Sequence, residues 1–147
     1  MPSPQLRKAG KWLAIGTVLI AIIATQWPFE YRFTSYAIHY RLERIDWHWF
    51  HRFDRDFALN ILMLMPLGFG FALWRQTSRA RAVIESLVLG TVASTVLELA
   101  QLVTRDRYAS FLDVWHNAAG CVVGCVLAIA ITGARRDRSD PRALQSP

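Results

Sequence analysis

The chain has 147 residues, of which 53% are apolar, yet its 17 lysines and arginines outnumber 11 acidic residues and give a formal net charge of +6. The apolar residues form four blocks of roughly 20 residues, the length that crosses a bilayer, and the charges lie between them. This separation excludes an ordinary soluble domain. It also disfavours nucleic-acid binding, because the cations flank apolar blocks instead of sharing one soluble face. We predict an all-α membrane protein with a single domain over residues 1–132 and no cofactor.

The first predicted span covers about residues 12–27 and follows a short basic leader. Its residues lack a small-x-small cleavage site, so we expect an anchor and not a removable signal peptide. The other spans are predicted at about 56–74, 82–103 and 111–132. The tail, 133–147, is rich in Arg, Asp, Ser and Pro, and we predict that it is disordered.

The cations also predict how the spans are oriented. Ten lie in the N-terminal tail, the loop after the second span and the C-terminal tail, where only two aspartates oppose them. The other seven lie in segments 28–55 and 104–110, where five acidic residues oppose them. Because cytoplasmic segments carry the excess of Lys and Arg, both termini are predicted to be cytoplasmic and both of these segments to face outward.

The outer segment between the first two spans is more than a simple loop. It contains apolar residues at helical spacing, namely Ile38, Leu42, Ile45 and Trp49. Arginines, Arg41 among them, occupy the other faces. Two interpretations stay open: an amphipathic helix that lies on the outer leaflet, or a structured loop packed over the helix ends.

Polar residues recur near the predicted outer ends of three spans. Each span has a carboxylate and a carboxamide three or four residues apart: Asp56 with Asn60, Glu98 with Gln101, and Asp113 with Asn117. Such spacing puts both groups on one helix face. An unpaired polar group in hydrocarbon costs several kcal/mol, so these side chains are expected to be paired, functional or both. Two further cations, Arg105 and Arg107, lie in the turn that precedes the last span and are expected to lie over the carboxylates.

Helix caps and interhelical bonds are the simplest explanation of this polar layer. Asp56 and Asp113 open their spans and would suffice as caps. Glu98 closes a span, so a cap on its own helix does not explain it. Below the layer, small or helix-softening residues indicate close packing: Pro66, Gly68 and the GxxxG pair Gly120 and Gly124. The two cysteines, Cys121 and Cys125, match no metal-binding pattern, and no metal site is predicted.

Together these motifs resemble the VanZ-like family of bacterial membrane proteins in order and spacing: Asp56-x-x-x-Asn60, Met65-Pro66-Leu67-Gly68, Glu98-x-x-Gln101, Arg107, and Asp113-x-x-x-Asn117-x-x-Gly120. The resemblance covers about residues 50–130. The family's usual Phe before Pro-Leu-Gly is Met65 here, a difference in packing and not in chemistry. The resemblance implies a multi-pass protein of the bacterial inner membrane. The founding member is associated with low-level resistance to teicoplanin, and no established reaction defines the family.

One hypothesis is an outward-facing site that binds or modifies the polar head of an envelope lipid or lipid-linked cell-wall precursor. Arg105 and Arg107 would bind phosphate or carboxylate. Carboxamides would orient the head group, and these are Asn60, Gln101 and Asn117, with Asp56 beside them. Glu98 or Asp113 would serve as acid or base if the protein is an enzyme, which the sequence leaves undecided.

Two other functions remain open. The protein could be a structural or partner-binding membrane protein whose polar layer only holds the helices together. A proton-coupled transporter using Glu98 is the third hypothesis. Against it, the predicted cytoplasmic half of the spans carries no acidic residue except Glu85, so no proton path crosses the membrane. The sequence does not indicate which oligomeric state the protein has.

Overall fold

Five α-helices make up the fold. The computed structural model describes residues 3–45, 55–75, 77–104 and 109–138. The helices are α1 (Pro4–Gln26), α2 (Ser35–Leu42), α3 (Arg55–Trp74), α4 (Arg79–Gln101) and α5 (Phe111–Arg138). All except α2 are long and apolar enough to cross a membrane. The prediction of an all-α protein with four spans is therefore confirmed.

Local signals in the sequence set the helix starts. The Ser3 hydroxyl accepts a hydrogen bond from the Leu6 amide at 3.3 Å, and Pro4 occupies the first turn, where its missing N–H costs nothing. Ser78 caps α4 in the same way through the Arg81 amide at 3.4 Å. α1 ends just before Pro28, and α3 continues through Pro66. The caps explain why α1 begins eight residues, and α4 three residues, before the predicted spans.

The last helix continues beyond the apolar block. α5 extends to Arg138, so the tail predicted to be disordered from 133 is helical at its start. Arginine is a good helix former, and cations favour the last turn of a helix, so polarity alone does not end the helix here. The rest of that tail, 139–147, lies outside the described residues.

The four long helices pack in the spatial order α1, α3, α5, α4. α1 is antiparallel to α3 and α4 is antiparallel to α5, whereas the central pair, α3 and α5, runs parallel. α3 packs against α1 and α5, and α5 packs against α4, whereas α1 and α4 touch only slightly. Glu98 lies at the end formed by the last turns of α1 and α4 and the first turns of α3 and α5, here called the Glu98 end. The opposite end is called the Glu85 end. α3 and α5 therefore form the centre of the bundle.

Polar contacts close the Glu85 end. The Glu85 carboxylate pairs with Arg75 at 3.3 Å and with Arg81 at 2.8 Å. The Arg7 side chain donates to the Trp74 carbonyl oxygen at 3.4 Å, which places a cation at the C-terminus of α3. The start of α1 and the end of α5 both lie at this end of the bundle. That this side is cytoplasmic stays a prediction.

Glycines let the helix backbones approach closely. A Cβ on Gly68 would overlap the backbone of Cys121, and one on Gly120 or Gly124 would overlap the carbonyl of Ile61 or Met65. On the other side of α3, a Cβ on Gly10 would lie 2.6 Å from the Gly70 carbonyl oxygen. The GxxxG pair of α5 therefore lies directly against α3, where van der Waals packing holds transmembrane helices together.

We expect Gly68→Ala to lower the free energy of unfolding by about 1–3 kcal/mol, because the new methyl forces α3 and α5 apart. Gly16→Ala is the matched control, since no atom lies within 4 Å of a Cβ there. It should leave stability unchanged or raise it by up to about 1 kcal/mol through helix propensity. Denaturation in detergent micelles measures both. Equal stability of the two variants would contradict close packing at Gly68.

Candidate functional site

Glu98 joins the end of α4 to the start of α5. The residue is 7% exposed, and its Oε2 accepts a hydrogen bond from the Ser110 amide at 2.9 Å. Its Oε1 accepts from Gln101 Nε2 at 3.4 Å. The Ser110 hydroxyl in turn accepts from the Asp113 amide at 3.4 Å, as an N-cap does. The buried carboxylate is therefore stabilised by the N-terminus of the neighbouring helix.

This contact corrects one step of the sequence argument. Glu98 lies far from the N-terminus of its own helix, and that position suggested that capping does not explain it. The structure shows that its carboxylate reaches the N-terminus of α5 instead. Because α4 packs against α5, Glu98 and Ser110 lie close together. Burial of Glu98 is thus no evidence for a ligand.

Asn117 has a different environment. It is 1% exposed, and its Nδ2 donates to the Ser94 hydroxyl at 2.9 Å. Its Oδ1 is buried and accepts no hydrogen bond from the part of the chain that the structure describes. If the amide were turned over, the hydroxyl would serve as donor and the NH2 group would be left over. In either orientation one polar atom of Asn117 lacks a partner among the described residues.

The other predicted site residues lie at the same end or outside the description. Asn60 is half-buried on α3, next to Ile61, which contacts Gly120. Asp113 is half-buried in the first turn of α5. The backbone of Asp56 belongs to the first turn of α3, but its side chain lies outside the description. The arginines of the turn, Arg105 and Arg107, lie outside the described residues as well.

A second set of polar residues, which the sequence argument missed, lies between α1 and α4. Gln26 is 3% exposed and donates through Nε2 to the Leu97 carbonyl oxygen at 3.3 Å. The Thr104 hydroxyl lies 2.7 Å from Gln26 Oε1. Arg41 is 8% exposed and donates to the Leu102 carbonyl oxygen at 2.9 Å. These three residues, Gln26, Arg41 and Thr104, are called the Gln26 cluster.

The Gln26 cluster also shows how the outer segment packs. Tyr31 pairs with Thr104 as an antiparallel bridge, and the Arg32 amide donates to the Val103 carbonyl oxygen at 2.7 Å. The segment contains a helix, α2, and the described part also packs over the end of α4. Arg41, assigned from the sequence to an exposed face, is buried because it caps the C-terminus of α4. The sequence signal for the cluster was a carboxamide, Gln26, at the end of the first span.

No group of His, Cys, Asp and Glu side chains suited to a metal ion occurs in the described ranges. His116 packs edge-to-face on Phe57, with ring centroids 4.7 Å apart, and so ties α5 to α3. The arrangement at the Glu98 end is therefore a layer of carboxylates, carboxamides and hydroxyls between helix ends. Such groups can donate hydrogen bonds to a polar ligand and accept them from it.

The fold and this layer define a multi-pass membrane protein with four spans and a polar layer at one end of the bundle. A family model described as VanZ/LLP1 matches residues 12–132, which include all four spans. The chain therefore belongs to the VanZ-like family. Neither the curated proteins nor the solved structures give a significant match to it.

We expect Gln26→Leu to lower the free energy of unfolding by about 1–2 kcal/mol, because it removes the hydrogen bonds that join α1 to the end of α4. Amides 103 and 104 should exchange faster with solvent in the same variant. Gln5→Leu, at an exposed position of the same helix, should change stability by less than about 0.5 kcal/mol. Hydrogen exchange and denaturation in micelles check both expectations. Unchanged exchange at 103 and 104 would show that Gln26 does not hold the end of α4.

Proposed function

We propose that this VanZ-like protein binds the polar head of a membrane lipid or lipid-linked cell-envelope precursor at the Glu98 end. The hydrocarbon part of the ligand stays in the bilayer. The site faces outward in the bacterial inner membrane, consistent with the distribution of cations along the chain. The observation that carries the proposal is the buried amide of Asn117, which has one polar atom without a protein partner.

The depth of Asn117 makes this unpaired atom significant. It lies six residues after the start of α5, about 9 Å along the helix axis. A buried polar atom without a hydrogen bond destabilises a protein by about 1–3 kcal/mol. A hydroxyl, amide or ammonium group from outside the chain would supply the missing donor. Sugars, peptides and amino-alcohol head groups all carry such donors.

Neighbouring groups extend the recognition surface. Ser94, which holds the Asn117 amide, lies one turn below Glu98 on α4, and Gln101 follows on the same face. In this proposal Asn60, Gln101 and Asn117 orient the head group, and Arg105 and Arg107 bind its phosphate or carboxylate. If the protein modifies its ligand, Glu98 or Asp113 supplies the acid or base.

A structural or partner-binding role is the second candidate. It is favoured by the same hydrogen bonds, since Glu98 with Ser110 and Asn117 with Ser94 both join α4 to α5. Proton-coupled transport is less favoured. In the described part of the bundle, Glu85 is held by Arg75 and Arg81, so the carboxylate nearest the other end is fixed as an ion pair.

The two candidates predict different results for Asn117→Ala and Ser94→Ala. If the site binds a ligand, Asn117→Ala should reduce copurified lipid at least about tenfold, the effect of losing about 1.4 kcal/mol of binding energy. Ser94→Ala removes the bond between α4 and α5 but keeps the ligand-facing atom, so most of the lipid should remain. Native mass spectrometry of protein purified in a mild detergent measures the bound lipid.

A carboxylate at the far end of α4 supplies the control. Glu85→Gln lies at the Glu85 end, away from the proposed site, so it should leave the lipid content unchanged. If the role is structural, Asn117→Ala and Ser94→Ala should instead destabilise the protein alike by about 0.6–2 kcal/mol, with no effect on lipid. That pattern would reject the binding proposal.

A further inference from the structure

We infer that an apolar groove between α1 and α4 holds one acyl chain of a phosphate-headed lipid, and that Arg41 binds the phosphate. The inference rests on the proposed function and deepens it, because it names the class of lipid. Two observations meet here: a groove lined by hydrocarbon, and a buried guanidinium at its polar end.

The groove lies between α1 and α4, which touch only slightly. Its volume is about 170 Å³, and its walls are apolar. The residues that line it come from three helices and include Val18, Ile22, Leu64, Ala93, Val96 and Leu97. An apolar cavity of ~150 Å³ in another protein stays dry and takes up benzene, so this groove has room for a short length of hydrocarbon chain.

The surroundings select an acyl chain as the occupant. A membrane-spanning bundle meets lipid hydrocarbon on all its outer faces, and water does not enter an apolar groove at that depth. A partner helix is about 10–12 Å across and too wide for a space of this volume. A single chain fits, and it brings its polar head to the end of the groove.

Arg41 lies beyond that end, and the described residues use only a small part of its hydrogen-bonding capacity. Its guanidinium makes one hydrogen bond, to the Leu102 carbonyl oxygen, and forms no ion pair with a carboxylate of the described residues. Arginine carries five N–H donors, and a buried charge without a counter-ion is costly. A phosphate matches the fork of a guanidinium and supplies the missing negative charge.

The spacing along α4 joins the two features. Leu97 lines the groove, and Leu102, which Arg41 contacts, follows five residues later, about 7.5 Å along a helix axis. A glycerol backbone spans a separation of this size between phosphate and acyl chain. Gln26 lies between them, bonded to the Leu97 carbonyl oxygen. The rest of the head group extends over the end of α4 toward Asn117.

To test this, the full-length protein in micelles is titrated with phosphatidylglycerol and, separately, with uncharged diacylglycerol. Native mass spectrometry measures the lipid that is bound. Ala93→Phe fills the groove and should weaken both lipids at least about tenfold. Arg41→Gln should weaken only phosphatidylglycerol, by a similar factor. Val92→Phe and Arg44→Gln are the matched controls at exposed neighbouring positions, and both should bind as the wild type does. Ile22→Trp narrows the groove from α1 and replaces Ala93→Phe if that variant does not accumulate; Ile23→Trp is its exposed control.

Unchanged binding of both lipids by the groove variants would overturn the acyl-chain site. Equal loss of both lipids in Arg41→Gln would overturn the phosphate contact. Asn117→Ala in the same titration separates the two proposals. If Asn117→Ala alone loses lipid, the groove inference fails and the head-group proposal stands. If the groove variants alone lose lipid, the groove inference stands and the head-group proposal fails. A wild-type protein that binds neither lipid would reject both.

Discussion

The close approach of α3 and α5 is the contact on which the rest of the bundle depends. Gly68, Gly120 and Gly124 bring the two backbones to a distance that no side chain permits. That approach fixes the register of the pair, because Gly120 must lie against Ile61. One turn above, the same register places Asn117 in the buried layer and His116 against Phe57. The position of the polar layer thus follows from where the glycines fall.

The α4–α5 interface also depends on close packing at small residues. On α4, the buried face carries Ser86, Gly90 and Ser94 at four-residue spacing, and a Cβ on Gly90 would lie 2.7 Å from Cys121 Cβ. Close packing lets the short Ser94 side chain reach the Asn117 amide, and lets Glu98 reach the start of α5. In hydrocarbon, where apolar contact gives helices little preference for one another over lipid, packing and such hydrogen bonds supply the specificity.

The features that depend on local interactions could be predicted from the sequence. Span length and hydropathy act within one segment, so four spans were predictable, and residues three or four apart had to share a face. The partners were not predictable in the same way. Gln26 and Thr104 lie 78 residues apart, and nothing local links them. Arg41 was assigned to a polar face because a cation usually prefers water; only the free carbonyls at the end of α4 make its burial favourable. The repeat of small residues at Ser86, Gly90 and Ser94 was also visible in the sequence, and it was the missed signal for close packing between α4 and α5.

Structural and binding roles for Asn117 are compatible, because one of its polar atoms bonds Ser94 and the other is left for a ligand. The bond to Ser94 fixes the plane of the amide, so the remaining atom points in one direction before any ligand arrives. A ligand that meets a fixed acceptor loses less conformational freedom on binding than one that must also order a mobile side chain. The same holds for Arg41, whose guanidinium is held by the Leu102 carbonyl oxygen. Helix packing that rigidifies polar groups at a membrane depth without free water is therefore also what would make them an effective recognition site.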